Sequence, residues 1–188
     1  PYMKLGIFPP KELIKQELRI AAEQGYFPGD EEGQTGPSAQ DLEEMRASPE
    51  AMEYIKELTA EYEDGSLDTK ITIVDEDESI FIIDMSISEE NLIQMKPVSS
   101  YEKEADITIE INFEFVYGLI SEMEKDPRIE HPEWVEDSFQ ENVGDIVNGG
   151  LVIAKITGGF ATGDISVSPI SEVGTAMELL GHMFGEGL

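Results

Sequence analysis

The segment from Phe160 to Phe184 constrains the fold most, because a short strand pattern leads directly into an amphipathic helix. Ile165 and Val167 alternate with serines, which is typical of a half-buried strand. Pro169 then ends the strand pattern, since proline cannot donate a hydrogen bond to a neighbouring strand. Apolar residues follow at helical spacing: Val173, Ala176, Met177, Leu180 and Phe184. Such a helix must pack on another apolar surface, so this segment predicts a helix that covers a core.

Helical patterns also dominate the beginning of the chain. Two prolines at residues 9–10 open a predicted helix that Gly25 closes, and an acidic, glycine-rich linker follows from Gly29 to Gln40. Ser38 and Ser48 are typical N-cap residues, so each predicts the start of another short helix.

From residue 69 onward the apolar residues alternate with a period of two, which predicts strands. The segment from Ala105 to Ile111 alternates most regularly, with isoleucines on one face and polar residues on the other. The other predicted strands are Ile71–Val74, Ser79–Met85 and Leu92–Lys96, the last of which stops at Pro97. The acidic residues Asp75–Glu78 form a predicted hairpin turn between the first two strands.

Helical patterns return after the fourth strand. Asn112 is placed to cap a helix that ends near Asp126, and a second helix is predicted from Pro132 to Val147. The apolar run from Leu151 to Ile156 fits either a strand or a buried helix, and its periodicity does not decide between them. The order of elements predicts an α+β fold in which a mostly antiparallel sheet is covered on one face by helices.

The charge of the chain limits its classes of partner. Its 188 residues include 41 acidic and 12 basic side chains, which gives a formal net charge of -29. Such a surface repels the phosphates of nucleic acids and of anionic membranes, so we expect neither as a partner. The charge serves either solubility or the docking of a basic partner protein.

Composition also bears on location and on domain organisation. The chain has no cysteine and no apolar run of about 20 residues that could span a membrane, so we expect a soluble, cytoplasmic protein. Its length and its apolar content of 40% suit one main domain with a single core. We assign this domain to residues 49–188, and we assign residues 1–48 to an N-terminal helical extension with an acidic linker.

No catalytic or metal-binding motif is recognisable. His131 and His182 lie far apart in the sequence and lack the spacing of a zinc site. The turn at Asp75–Glu78 lacks the spaced ligands of a calcium loop, and Gly158–Asp164 lacks the lysine of a phosphate-binding loop. With no nucleophile and base pattern in view, the sequence favours a non-catalytic protein without a metal ion or cofactor.

Three segments of the chain carry strand and helix motifs: A-D-I-T-I-E-I at Ala105–Ile111, G-D-I-S-V at Gly163–Val167 and A-M-E-L at Ala176–Leu179. They resemble the sterol carrier protein family of type two. In that family an A-D-V-T-I strand precedes a helix, and a late G-K-L-x-I strand precedes an A-M-K-L helix. Asp164 and Glu178 stand where the family has lysines, which weakens any expectation of docking on acidic membranes.

The resemblance implies a five-stranded sheet with helices on one side and an internal hydrophobic tunnel for a fatty acid, an acyl chain or a sterol-like lipid. We therefore predict non-catalytic binding and transfer or presentation of such an apolar ligand. The residues expected to line the tunnel are Phe81, Ile83, Phe115, Leu119, Phe139, Met177, Leu180 and Met183. The alternative is an acidic accessory subunit that docks on a basic partner, and an enzyme acting on an acyl substrate is less favoured.

Overall fold

The computed structural model describes residues 9–27, 37–124 and 154–184, without the side chains of residues 122–124 and 182–184. Within these ranges the protein has an α+β fold with six helices and a five-stranded sheet. The helices are α1 (Lys11–Gln24), α2 (Ala39–Ala47), α3 (Pro49–Thr59), α4 (Phe113–Glu124), α5 (154–162) and α6 (Val173–Phe184). The strands are β1 (Ser66–Asp75), β2 (Glu78–Ser88), β3 (Leu92–Val98), β4 (Ile107–Asn112) and β5 (Ile165–Ser168).

The described residues form two compact units. One unit comprises residues 12–110, with most of α1, helices α2 and α3, strands β1–β3 and most of β4. The other comprises the described residues before Glu12 together with those from Ile111 onward, which include α4, α5, β5 and α6. The predicted domain boundary between residues 48 and 49 stays a prediction, although most of α1 belongs to the same compact unit as β1–β3.

The strands lie in the order β3-β2-β1-β4-β5. β1 pairs with β2 and β2 with β3 in an antiparallel arrangement, and the acidic turn joins β1 to β2 as predicted. Neighbouring residues of a strand point to opposite faces. The cross-strand partners Ile71 and Ile83 therefore share a buried face, whereas Lys70 and Asp84 share the opposite surface. We call this second surface of β1–β3 the polar face.

The sheet is mixed, so the prediction of a mostly antiparallel sheet was wrong. The amide of Asp106 donates to the carbonyl of Asp68 across 2.8 Å, which joins the beginnings of β4 and β1 and indicates that they run parallel. The prediction treated successive strands as antiparallel neighbours. Instead, the chain after β3 crosses to the far side of β1, and hydrophobic alternation carries no information about strand direction.

β3 continues through Pro97 to Val98, although the sequence pattern predicted its end at Pro97. Pro97 lies opposite Ile83 in the β2–β3 ladder. β3 lies at an edge of the sheet and pairs only with β2. The nitrogen of Pro97, which carries no hydrogen, can therefore face away from β2, so that no hydrogen bond between the two strands is lost.

The helices of the first unit have the predicted caps. Ser38 Oγ accepts from the amide of Asp41 at 3.2 Å, and the Asp41 carboxylate accepts from the amide of Ser38 at 2.8 Å. Ser48 begins α3 by accepting from the amide of Ala51 at 3.2 Å. Gly25 follows α1 with a φ of 77°, a left-handed conformation that glycine adopts without strain.

In the second unit, Asn112 begins α4 as predicted, because its side-chain oxygen accepts from the amide of Glu114 at 2.9 Å. The apolar run that fitted either a strand or a helix is helical over residues 154–156, within α5. The helix predicted from Pro132 to Val147 lies outside the described residues.

Helix α5 packs closely on its neighbours at Gly159. A Cβ atom at this position would lie 2.8 Å from the Ile165 side chain and 2.9 Å from the Phe115 ring. Such distances are shorter than van der Waals contact, so only glycine allows this approach without a shift. The close contact positions the ring of Phe115, one of the predicted lining residues, against α5.

Candidate functional site

A groove lies beside α1 in the unit of residues 12–110, near the start of β2. Its volume of about 230 Å³ is slightly below the roughly 300–1,000 Å³ that is typical of ligand pockets. The apolar residues that line the groove are Ala22, Ile80, Phe81, Ile82 and Val98, all buried or half-buried. We call them the floor, and they include residues from both faces of β2, since Phe81 and Ile82 point to opposite sides of the strand. The rim is polar and exposed, and it consists of Arg19, Glu23, Glu78, Ser79 and Ser99. We call this site the α1 groove.

Phe81 anchors the floor of the α1 groove. Its side chain is only 3% exposed, and its ring lies 6.1 Å from the ring of Phe27 at an interplanar angle of 59°. This tilted arrangement is favourable for aromatic pairs. Phe81 also pairs with Ile73 across the β1–β2 ladder, so the sheet fixes the position of the aromatic ring.

The rim of the α1 groove carries more negative than positive charge. Arg19 Nη2 lies 3.0 Å from Glu78 Oε2, and Glu23 adds a second carboxylate. The ion pair is largely exposed, so it contributes little to stability, about 0–1 kcal/mol, and a ligand can displace it. One guanidinium and two carboxylates leave a net negative rim, which favours neutral or cationic head groups over anionic ones.

A second groove lies on the polar face, above β2 and β3 in the same unit. Its volume of about 500 Å³ falls within the range of about 300–1,000 Å³ for small-molecule sites. The lining residues on the strands are Asp84, Ser86, Ile93, Gln94, Met95 and Lys96, and those outside the strands are Pro37, Leu42 and Lys103. We call this site the polar-face groove.

Lys103 ties the loop after β3 to the polar face. Its Nζ lies 2.5 Å from Asp68 Oδ1 and 3.0 Å from Asp84 Oδ1. Partial burial lowers the pKa of Lys103, but the hydrogen bonds and charges of the two aspartates outweigh this effect and raise the pKa above its usual value. The ammonium group is therefore held in place with its charge retained.

Tyr101 lies between two lysines at this face. The Nζ atoms of Lys70 and Lys103 each lie 5.8 Å from the centre of its ring, within the range of cation–π attraction. Burial raises the pKa of the Tyr101 phenol to about 12, and the nearby Lys103 charge only partly offsets the effect. Its hydroxyl is buried and has no hydrogen-bond partner in the part of the chain that the structure describes.

The predicted lining residues fall in both units. Phe81 lines the α1 groove, and Ile83 lies two residues further along β2 on the same buried face. The other unit holds four of them: Leu119 and Leu180, which are buried, and Phe115 and Met177, which are half-buried. Phe139 and the side chain of Met183 lie outside the described residues. The tunnel that these residues were expected to form stays a prediction.

The polar-face groove was not predicted from the sequence. The available signal was weak: Asp84 and Ser86 alternate with apolar residues in β2, as Gln94 and Lys96 do in β3. Such alternation predicts a solvated strand face but not a concave one. The concavity depends on the β2–β3 register and on the return of Lys103 toward the sheet, which no local pattern encodes.

Comparison of the chain with models of protein families, with curated proteins and with solved structures found no match. Function is therefore inferred from the two grooves and their chemistry. None of the helices in the described ranges is long and apolar enough to cross a membrane. The same residues contain no cluster of three or more histidine, aspartate or glutamate side chains that could hold a metal ion.

Proposed function

We propose that this protein binds an apolar ligand without changing it chemically and transfers or presents it. The observation that carries the proposal is the α1 groove, whose apolar floor opens to the surface between charged residues. Ligand sites commonly combine an apolar lining with a few polar groups at defined positions. Phe81, which the sequence singled out for ligand contact, lies in this floor.

The driving force is the removal of apolar surface from water. Each buried CH₂ group contributes about 0.8 kcal/mol, so a chain of six or seven such groups contributes about 5 kcal/mol before the cost of immobilisation. A groove of about 230 Å³ accepts a short acyl chain or one end of a longer ligand. Fatty acids, acyl chains and sterol-like lipids are the proposed ligand classes, and the negative rim favours those with a neutral head group.

The resemblance to type-two sterol carrier proteins supports the same proposal. The resemblance implies a five-stranded sheet, and the described residues form five strands with helices between and after them. The internal tunnel that the resemblance implies remains part of the proposal. We also propose a cytoplasmic location, which suits a sequence without cysteine.

The direct test compares the protein with a variant whose α1 groove is filled. Ala22 is half-buried in the groove, and Ala22→Trp places an indole over the floor. Ala47→Trp is the matched control, because Ala47 is exposed at the end of α2 and lines neither groove. Titration with decanol, followed by NMR of labelled isoleucine methyl groups, measures binding through Ile80 and Ile82.

We expect saturable shifts of the Ile80 and Ile82 methyl signals in the parent protein and in Ala47→Trp. Ala22→Trp should lose them while keeping its methyl spectrum otherwise dispersed, which shows an intact fold. Native mass spectrometry of protein purified without detergent, with extraction and identification of any lipid, then defines the natural ligand class. Decanol binding that survives Ala22→Trp would rule out the α1 groove as the site, and no binding of any apolar probe would rule out the function.

A second candidate function is docking on a basic partner protein. The observation that favours it is a row of exposed carboxylates on α2 and α3: Asp41, Glu43, Glu44, Glu50, Glu53 and Glu57. Only Arg46 and Lys56 interrupt this row on the two helices. Complex formation of this kind weakens steeply with added salt. Apolar binding changes little with salt, so the ionic-strength dependence of partner capture separates the two functions.

A further inference from the structure

We propose that the polar-face groove is a second, independent binding site, which takes a small organic anion with a carboxylate or phosphate group. The site uses other residues than the α1 groove, so it does not depend on the function proposed above. Three features point to such a ligand: the lysines that the fold gathers at this face, the polar groups between them and the volume of the groove.

Three lysines converge on the polar face of a strongly acidic protein. Lys70 and Lys96 are the cross-strand neighbours of Asp84 on its two sides, and Lys103 contacts Asp84 from the loop after β3. Asp68, Asp84 and Asp106 lie in the same cluster, so three lysines balance three aspartates. The cluster is therefore close to neutral on a chain whose formal net charge is -29.

Lys96 is the cation that remains available to a ligand. Lys103 already pairs with Asp68 and Asp84, at 2.5 and 3.0 Å, and Lys70 lies over the ring of Tyr101. Lys96 is exposed, lines the groove and has no ion-pair partner within 4.0 Å among the described residues. An ammonium group without a carboxylate partner at the rim of a concave site favours an anionic ligand.

The rest of the groove defines the size and character of that ligand. Ser86 and Gln94 are cross-strand partners next to the lysines, and both can donate hydrogen bonds to an oxyanion. Pro37 and Leu42 offer an apolar wall for the carbon skeleton. A volume of about 500 Å³ admits a metabolite-sized molecule but is small for a folded partner. We therefore infer a small carboxylate or phosphate ester with a short carbon skeleton.

The test is an NMR titration of the full chain with two probes, succinate and inorganic phosphate. The readouts are the amide signals of Ser86, Gln94 and Lys96 and the methyl signal of Ile93, all in the groove. Lys96→Gln removes the available cation, and Lys56→Gln is the matched control because Lys56 is exposed on α3 and lines neither groove. Sodium chloride at equal ionic strength separates site binding from general screening.

We expect saturable shifts at the groove signals with at least one probe, and at least a tenfold loss of affinity in Lys96→Gln but not in Lys56→Gln. Stronger binding of succinate would identify a carboxylate ligand, and stronger binding of phosphate would identify a phosphate ester. Equal losses in both variants would overturn the proposal, because they would show a general charge effect. Shifts that sodium chloride reproduces, or the absence of shifts with both probes, would overturn it as well.

Lys103→Gln is a further variant. Its substitution removes the cation that pairs with Asp68 and Asp84 and leaves both carboxylates unpaired beside the groove, so we expect weaker anion binding than in the parent protein. Should this variant fold poorly, the Lys96→Gln comparison still decides the proposal, since Lys96 makes no ion pair within the described residues.

Discussion

The two grooves share strand β2 but differ in almost every other respect. Ile80, Phe81 and Ile82 form part of the apolar floor of the α1 groove, whereas Asp84 and Ser86 belong to the polar-face groove. A few residues of one strand thus contribute to two sites of opposite chemistry. Buried apolar side chains stabilise the fold and bind ligands non-directionally, while exposed polar ones add little stability and can be specific. The comparison predicts that substitutions in the two grooves have different effects on stability and on ligand binding.

The largest expected difference concerns stability. Phe81→Ala should lower the free energy of unfolding by about 3–5 kcal/mol, because it removes a buried ring and leaves a cavity. Gln94→Ala, in the other groove, should change it by no more than about 0.5 kcal/mol, because Gln94 is exposed. Urea unfolding measures both. A loss below about 1 kcal/mol for Phe81→Ala would mean that the floor is not part of the core.

The second prediction tests a variant of each groove against the ligands of both grooves. Ala22→Trp should abolish decanol binding and leave succinate or phosphate binding unchanged. Lys96→Gln should weaken anion binding about tenfold, equivalent to about 1.4 kcal/mol, and leave decanol binding unchanged. NMR titration of the Ile80 and Ile93 methyl signals follows both sites in one sample. If either variant affects both ligands, the sites are coupled and the proposed independence is wrong.

The third prediction concerns alkaline pH and the cluster around Tyr101. The pKa of its phenol is raised to about 12 by burial, so folding opposes its ionisation. A raised pKa contributes stability that is complete below the usual value near 10 and is lost as the pH rises through the folded value. Lys103 contributes in the same direction, because its pKa is also raised by its aspartate partners despite partial burial.

We therefore expect the parent protein to lose about 1 kcal/mol more stability than Tyr101→Phe between about pH 10 and pH 12, a value reduced for solvent screening. At neutral pH the variant should be as stable as the parent or slightly more stable, since it removes a buried hydroxyl without a partner among the described residues. Urea unfolding at a series of pH values checks this. Parallel pH profiles would show that Tyr101 titrates normally.

The sequence predicted local structure well, since periodicity and caps report on short stretches of chain. The caps at Ser38, Ser48 and Asn112, and the hairpin turn between β1 and β2, are confirmed. It failed on the direction of β4, because alternation is the same in parallel and antiparallel strands. Side chains brought together by register or by a returning loop, such as Asp84, Lys96 and Lys103, cannot be found from local patterns.

The smallest predicted effect concerns the charge around the α1 groove. Glu78→Gln removes one of two rim carboxylates and releases Arg19 from its ion pair. Two unit charges about 8 Å apart in water interact by about 0.5 kcal/mol, so the variant should bind decanoate about two- to threefold more tightly. Decanol has no charge, so its affinity should not change.

Glu57→Gln is the control for overall charge, because Glu57 is exposed on α3 and lines neither groove. Both variants make the net charge less negative by one unit, so a local effect must appear only in Glu78→Gln and must decrease with added salt. An equal gain of decanoate affinity in both would assign selectivity to the whole acidic surface. A gain confined to Glu78→Gln would show that the rim of the α1 groove disfavours anionic head groups.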